Sequence, residues 1–319
     1  MGGGAMPVKR LSILTLLLAL AMIAYMTIGS RGNWDFVLAF RGAKLLAIIA
    51  VGVAVSTSTL LFQTIAQNRI LTPSIMGFDA LYVLIITMMV FFVGGQGMLS
   101  LGPYGLFTLN TVLLLLASFL LFGTLIFEHG RDLTRMILTG VILGTLFRSL
   151  TSFATRMIDP NEYAHIQIAS YASFNSFDME LLYIGVAIII ACLAFVWTIR
   201  HRLDVISLGY DVAINLGENV RAVQLLALGV IAILVSVSTA IVGPVAFLGL
   251  LVVSIAHLVT PSPYHSTLLL SSGLISCLIL VGGQTLMERV LQMSTPLAVI
   301  IDFVGGLVFL LLLLQRLKK

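Results

Sequence analysis

Five charged residues fall inside or at the edges of long apolar runs: Asp79, Arg148, Glu288, Arg289 and Asp302. Charge is expensive to bury in lipid, so such groups point first to the passage of ions or protons. With Asp79, Asp302 would supply the coupling groups of an ion-driven carrier. The plainer and favoured reading of Asp302 is a hydrogen bond to a neighbouring helix or a place near the membrane surface. Asp79 and Arg289 read as interfacial, and Glu288 as pairing locally. The set is thin for an ion relay. Hydrolytic chemistry is absent from the sequence. There is no G-x-x-x-x-G-K-[ST] loop, since none of Lys9, Lys44, Lys318 and Lys319 follows a glycine. No H-E-x-x-H, G-x-S-x-G or zinc-spaced Cys/His cluster occurs either, which disfavours a membrane-embedded enzyme.

The elements that must hold these residues are set by composition. Of 319 residues, 60% are hydrophobic and 9% charged, and the mean hydropathy is +1.13. Soluble domains carry about a quarter charged residues, so most of this chain must have lipid as its solvent. A soluble enzyme, a nucleic-acid binder and a disulfide scaffold are excluded. Apolar runs predict ten spans, at 11–28, 45–66, 78–94, 105–127, 135–156, 181–199, 222–241, 246–259, 266–286 and 297–315. The run 246–259 is too short to cross unaided and must pack inside other protein. Cys192 and Cys277 sit in apolar runs and read as small core residues. Lys9-Arg10 before the first run resembles a signal peptide, but with no A-x-A site it reads as an uncleaved span.

Basic residues give the orientation. With an even span count and a cytoplasmic start, the inner side holds 11 of the 17 Lys and Arg residues and the outer side 6 (Arg31, Arg41, Lys44, Arg148, Arg156 and Arg289). The positive-inside rule thus predicts both termini in the cytoplasm. Two polar stretches stand out, an extracytoplasmic one at about 157–180 and a cytoplasmic one at 200–221. In the second, between Gly209 and Gly217, apolar Val212, Ala213 and Leu216 recur at helical spacing beside Asp211 and Asn215. This predicts a short amphipathic helix outside the lipid, bounded by glycine breaks. Periodicity leaves open whether it rests on headgroups or plugs into a partner.

Two segments carry a more specific pattern. Gly52 through Gln63, Asn68, Thr72-Pro73 and Met76-Gly77 resembles a G…Q…RNPLA-P-LG segment. Leu208-Gly209, Leu216-Gly217, Val220-Arg221, then Gly243-Pro244 and Phe247-Leu248-Gly249-Leu250, resembles LG…LG…R…GPIGFVGL. Both are marks of the FecCD-type permeases of ABC importers for iron–siderophore complexes and vitamin B12. The residues at 63–79 and Ala172-Ser173-Phe174-Asn175 are most similar to the subgroup serving catecholate-type siderophores such as vibriobactin and anguibactin. The chain departs from the pattern at Val253–His257, at Gly283–Arg289 and at Ser294–Ala298.

The resemblance implies a single all-α polytopic membrane domain over 1–319 with about ten transmembrane helices, a type II ABC importer permease-like bundle. It implies a non-catalytic subunit in the plasma (bacterial inner) membrane. Its partners would be an identical or homologous permease, two cytoplasmic ATPases that bind the ATP and magnesium, and an extracytoplasmic siderophore-binding protein. The helix at about 209–219 becomes the ATPase-coupling element. Gly209, Asp211, Val212, Asn215, Leu216, Gly217, Glu218 and Arg221 are its expected contact set, with Val212 and Leu216 as anchors. Arg41 and Lys44 match an R-x-x-R docking pattern for the binding protein, and Arg289 approximates its third position. Lysine in place of the second arginine gives a point charge without the bidentate fork. Ser56, Thr59, Gln63 and Asn175 are the expected lining of the translocation pathway.

Overall fold

The computed structural model describes residues 5–29, 34–129, 133–174, 177–291 and 297–317. Every regular element among them is helical, as lipid requires of a backbone that must satisfy its own hydrogen bonds. In chain order the helices are α1 (Ala5–Thr27), α2 (Trp34–Ile65), α3 (Phe78–Ser100), α4 (Gly102–His129), α5 (Leu133–Thr155) and α6 (Pro160–Ala169). They continue with α7 (Met179–Ile206), α8 (Tyr210–Asn215), α9 (Val220–Val242), α10 (Leu248–Val259) and α11 (His265–Thr285). A π-helical turn at Leu286–Val290 follows α11, and α12 (Leu297–Leu317) comes last.

Each predicted span coincides with one of these helices, and α6 and α8 are additional. Seven helices are long and apolar enough to cross a membrane, and three shorter apolar ones lie at Phe78–Gly94, Leu248–Val259 and Leu297–Leu310. Two boundaries differ in ways that matter. The second span was expected from 45, yet α2 starts at Trp34, so Arg41 and Lys44 lie inside a helix. The stretch 157–180 reads as a polar loop, but ten of its residues form α6. Asp159 caps α6 by accepting from Asn161 N at 2.8 Å, and Pro160 presets its first turn.

α2 and α9 are the axis of the molecule. In their spanning windows 72% of residues are buried, against 11% in those of α1 and α4. α2 packs on α7, α9, α10 and α11, while α3 packs on α4, α5 and α6. Small residues allow the closest approaches, as expected where helices associate in lipid. Gly52 of α2 faces Ser276 and Leu280 of α11, and the buried, unbridged Cys277 donates its thiol to Ile49 O.

Two proline-bearing breaks let helices begin inside the bundle. After α2 the chain passes Thr72-Pro73-Ser74 and enters α3 through Gly77, whose φ is +96°. A Cβ on Gly77 would stand 2.9 Å from the Gly144 Cα of α5. The second break, Gly243-Pro244, separates α9 from α10. There Asp302 of α12 accepts from Phe247 N at 3.1 Å and caps the start of α10. This is the helix-to-helix hydrogen bond that the favoured reading of Asp302 anticipates.

Candidate functional site

The segment joining α7 to α9 forms a platform at one end of the bundle. α8 is only six residues long, shorter than the expected 209–219, because Leu216–Asn219 turns back instead of continuing the helix. Gly217 N donates to Ile214 O at 2.9 Å and Glu218 N to Ala213 O at 3.0 Å. Gly209 and Gly217 take φ of +109° and +84° with open space around them, so conformation alone selects glycine there. Ala213 is fully buried and keys the short helix onto the bundle, and Asn219 caps α9 through Ala222 N.

The platform's outer face is apolar and polar in alternation. Leu208, Val212, Ile214 and Leu216 are exposed, Leu216 by 62%. Asp211, Asn215 and Arg221 are exposed beside them. Glu218 is engaged within the chain: Arg202 Nε and Nη2 donate to its Oε1 at 2.9 and 2.6 Å. Leu208 enters the sequence pattern only as part of a motif, and Ile214 does not enter it. Ile214 lies two residues from each expected anchor, a spacing that a helical reading sends to another face.

At the opposite end the three expected docking cations converge, and two of them are turned inward. Arg41 is 7% exposed, and its guanidinium donates to the carbonyls of Tyr25, Met26, Ile28 and Gly29 at 2.9–3.2 Å. It thereby satisfies the orphan carbonyls at the end of α1. Lys44 is also buried and pairs with Glu288 of the π turn. Gln284 donates to Glu288 Oε1 at 2.6 Å, and Arg289 stands 3.8 Å from Oε2. Glu288 therefore has a partner across the fold as well as local ones. Arg289, with about a quarter of its side chain exposed, is the most open cation of the group.

Of the expected pathway residues, Ser56, Thr59 and Gln63 are all buried inside the bundle. Thr59 packs against Gly249 of α10. Gln63 also lines a cavity at the end of α2. Asn175 lies outside the described residues.

A different polar surface is open. On α5, Thr145, Arg148, Ser149 and Ser152 are exposed and fall on one face at three- and four-residue spacing. Leu146 and Leu150 are exposed alongside. An arginine near the middle of a spanning helix costs about 3 kcal/mol against lipid, so this face meets water or protein. In sequence, Arg148 stands out as a lone charge in an apolar run. The hydroxyls spaced around it were the signal that it sits on a polar stripe.

This arrangement has close counterparts. The sequence matches the FecCD transport family over residues 6–315. It is 43% identical over 302 residues to the petrobactin import system permease protein YclO of Bacillus subtilis (strain 168), covering 95% of this chain and 96% of that protein. It is 32% identical to the petrobactin import system permease protein FatC of Bacillus anthracis, covering 86% and 78%. A metal-chelate-type ABC transporter solved in an inward-facing conformation shares the fold, with a TM-score of 0.80 at 23% identity over 96% of this chain and 99% of that one. Two proline-broken helices, a glycine-bounded platform between α7 and α9, and a match over nearly the whole length agree: this chain belongs to the FecCD transport family.

Proposed function

We propose that this chain is the permease subunit of an ATP-driven importer for ferric siderophores. The observation that carries the mechanism is the platform around α8. Four apolar side chains, Val212 and Ile214 of α8 and Leu208 and Leu216 flanking it, project from a platform that is pinned to the bundle by Ala213 and by the Arg202–Glu218 pair. An exposed apolar cluster flanked by Asp211, Asn215 and Arg221 suits a protein partner. That partner is an ATPase subunit, one of two, which binds ATP and magnesium on its own chain. Closure of the ATPases pushes on α8, and the rigid links to α7 and α9 carry the push into the bundle. A second permease, identical or homologous, completes the membrane portion. The siderophore class rests on the names of the two petrobactin import permeases to which the chain is most alike among those described above.

The same reading places both termini and α8 in the cytoplasm and α6 on the outer side. A siderophore-binding protein then docks at the outer cluster. Arg289 offers the more accessible charge, while Arg41 and Lys44 hold the surface in shape from below. The polar stripe of α5 lines the path of the chelate, and Ser56, Thr59 and Gln63 stay within the subunit.

Reconstitution in vesicles with the ATPase and binding protein tests this. Uptake of a ferric catecholate that needs the ATPase and is blocked by vanadate is the expected result. Uptake abolished by a protonophore at constant ATP would instead favour an ion-coupled carrier using Asp302 and Asp79. Leu216→Asp is expected to release or uncouple the ATPase; unchanged uptake would remove α8 from the mechanism. Charge reversal at Arg289 is expected to weaken binding-protein docking with the ATPase still attached.

A further inference from the structure

Next to the platform, the end of α2, the end of α7 and the α10–α11 turn enclose a cavity of about 300 Å³. Its wall is unusual in charge. Arg69, His257 and His265 line it, and no Asp or Glu does among the described residues. Arg69 has no carboxylate partner among those residues, and His257 lies within its electrostatic reach. His265 is fixed from behind: Asp204 Oδ1 accepts from His265 Nδ1 at 2.7 Å and from its backbone N at 2.6 Å. On its other side Nε2 meets Thr64 Oγ1 at 2.8 Å. The mouth is equally fixed, since Gln67, at φ +51°, donates through Nε2 to Thr64 O and to Ile206 O, tying α2 to α7.

One group in this wall is left unsatisfied. Gln63 is 4% exposed, and neither its Oε1 nor its Nε2 has a hydrogen-bond partner. A buried carboxamide with both ends idle is costly, and native structures seldom keep one without a ligand or water. Here it lines a cavity with a permanent cation at Arg69 and the imidazole of His257, both ring nitrogens of His265 being taken by Asp204 and Thr64. A permanent cation beside an idle amide N–H, in a wall without a carboxylate, suits an oxyanion, and the idle Gln63 Oε1 can accept from a protonated oxygen of the same ligand.

We infer that this cavity binds a small soluble oxyanion bearing carboxylate or phosphate groups. Arg69 supplies the attraction, the Gln63 amide nitrogen and a neutral His257 ring N–H donate, and the Asp204–His265–Thr64 chain keeps the wall rigid. The volume admits a polyanion of several such groups. The inference goes beyond the transport reading and does not depend on it, because it concerns the isolated chain.

Thermal unfolding of the purified full chain in detergent, with inorganic phosphate or citrate titrated against chloride at matched ionic strength, tests it. The expected result is a saturable rise in midpoint with either anion. Arg69→Gln should weaken the apparent affinity at least tenfold, while Arg200→Gln, an equal loss of charge at the same end but outside the cavity, should leave it unchanged. Gln63→Leu should raise the midpoint without anion, by removing the idle amide, and also abolish the anion response. A rise that does not saturate, and is the same in Arg69→Gln, is the general effect of excluded salts and overturns the inference. No response to either anion overturns it as well.

Discussion

Lys44 of α2 and Glu288 of the π turn after α11 form an ion pair across 244 residues of sequence, with both side chains largely out of solvent. The pair locks the start of the central helix to the end of α11, and Gln284 and Arg289 join it from the same turn. A buried pair of this kind contributes little net stability against an apolar replacement, but leaving one partner alone is costly. Lys44→Met is therefore expected to lower stability by about 3 kcal/mol, and the double variant Lys44→Met/Glu288→Leu to recover most of that loss. Thermal unfolding in detergent reads both. Equal losses in the single and double variants would mean that the pair is not what holds this end together.

Asp302 separates a structural carboxylate from a proton-coupling one. Its Oδ1 accepts from Phe247 N, a bond that an asparagine oxygen can replace. Asp302→Asn is expected to keep stability and uptake. Asp302→Ala is expected to cost about 1 kcal/mol by uncapping α10. Uptake lost in Asp302→Asn with an unchanged unfolding midpoint would revive the ion-coupled mechanism.

Apolar run length located the spanning helices because lipid leaves the backbone no alternative, and glycines at 209 and 217 bracketed the platform because their φ values admit little else. Long-range pairing was not legible in the same way. Arg41 reads as an outward cation in sequence, and only the arrival of the α1 carbonyls turns it into an inward cap. Ser56, Thr59 and Gln63 are expected to line the pathway, and their burial in α2 comes from helices that local sequence does not place around them. Hydroxyl spacing around Arg148 already puts the α5 stripe on one helix face, and only the packing of α5 shows that this face is open.

Gly77 is expected to be intolerant for a stated steric reason. With φ at +96° and the Gly144 Cα 2.9 Å from the place of a Cβ, Gly77→Ala meets backbone and not a movable side chain. A loss of about 2 kcal/mol is expected from conformation and contact together. Gly282, inside α11 with nothing within 4 Å, is the control: Gly282→Ala should gain about 0.5 kcal/mol. If both substitutions behave alike, the α3–α5 approach is looser than the structure has it.

The stripe on α5 gives the most direct test of where the chelate travels. Thr145, Arg148, Ser149 and Ser152 share a face, while Leu146 and Leu150 flank it. A thiol reacts as its thiolate, which needs water, so a cysteine in lipid stays unmodified. Both native cysteines are buried, which keeps the background low. In the assembled transporter, cysteines at 145, 149 and 152 are expected to react with a charged, impermeant thiol reagent, and the labels to block uptake; cysteines at 146 and 150 are expected to resist. Arg148→Gln should reduce uptake of an anionic ferric chelate about tenfold, the size of one lost charged hydrogen bond, and reduce that of a neutral chelate less. Reactivity at 146 and 150 matching that at 145 and 149 would show a loosely hydrated helix with no defined path. Protection at all five positions would place α5 against a protein partner and move the passage elsewhere in the bundle.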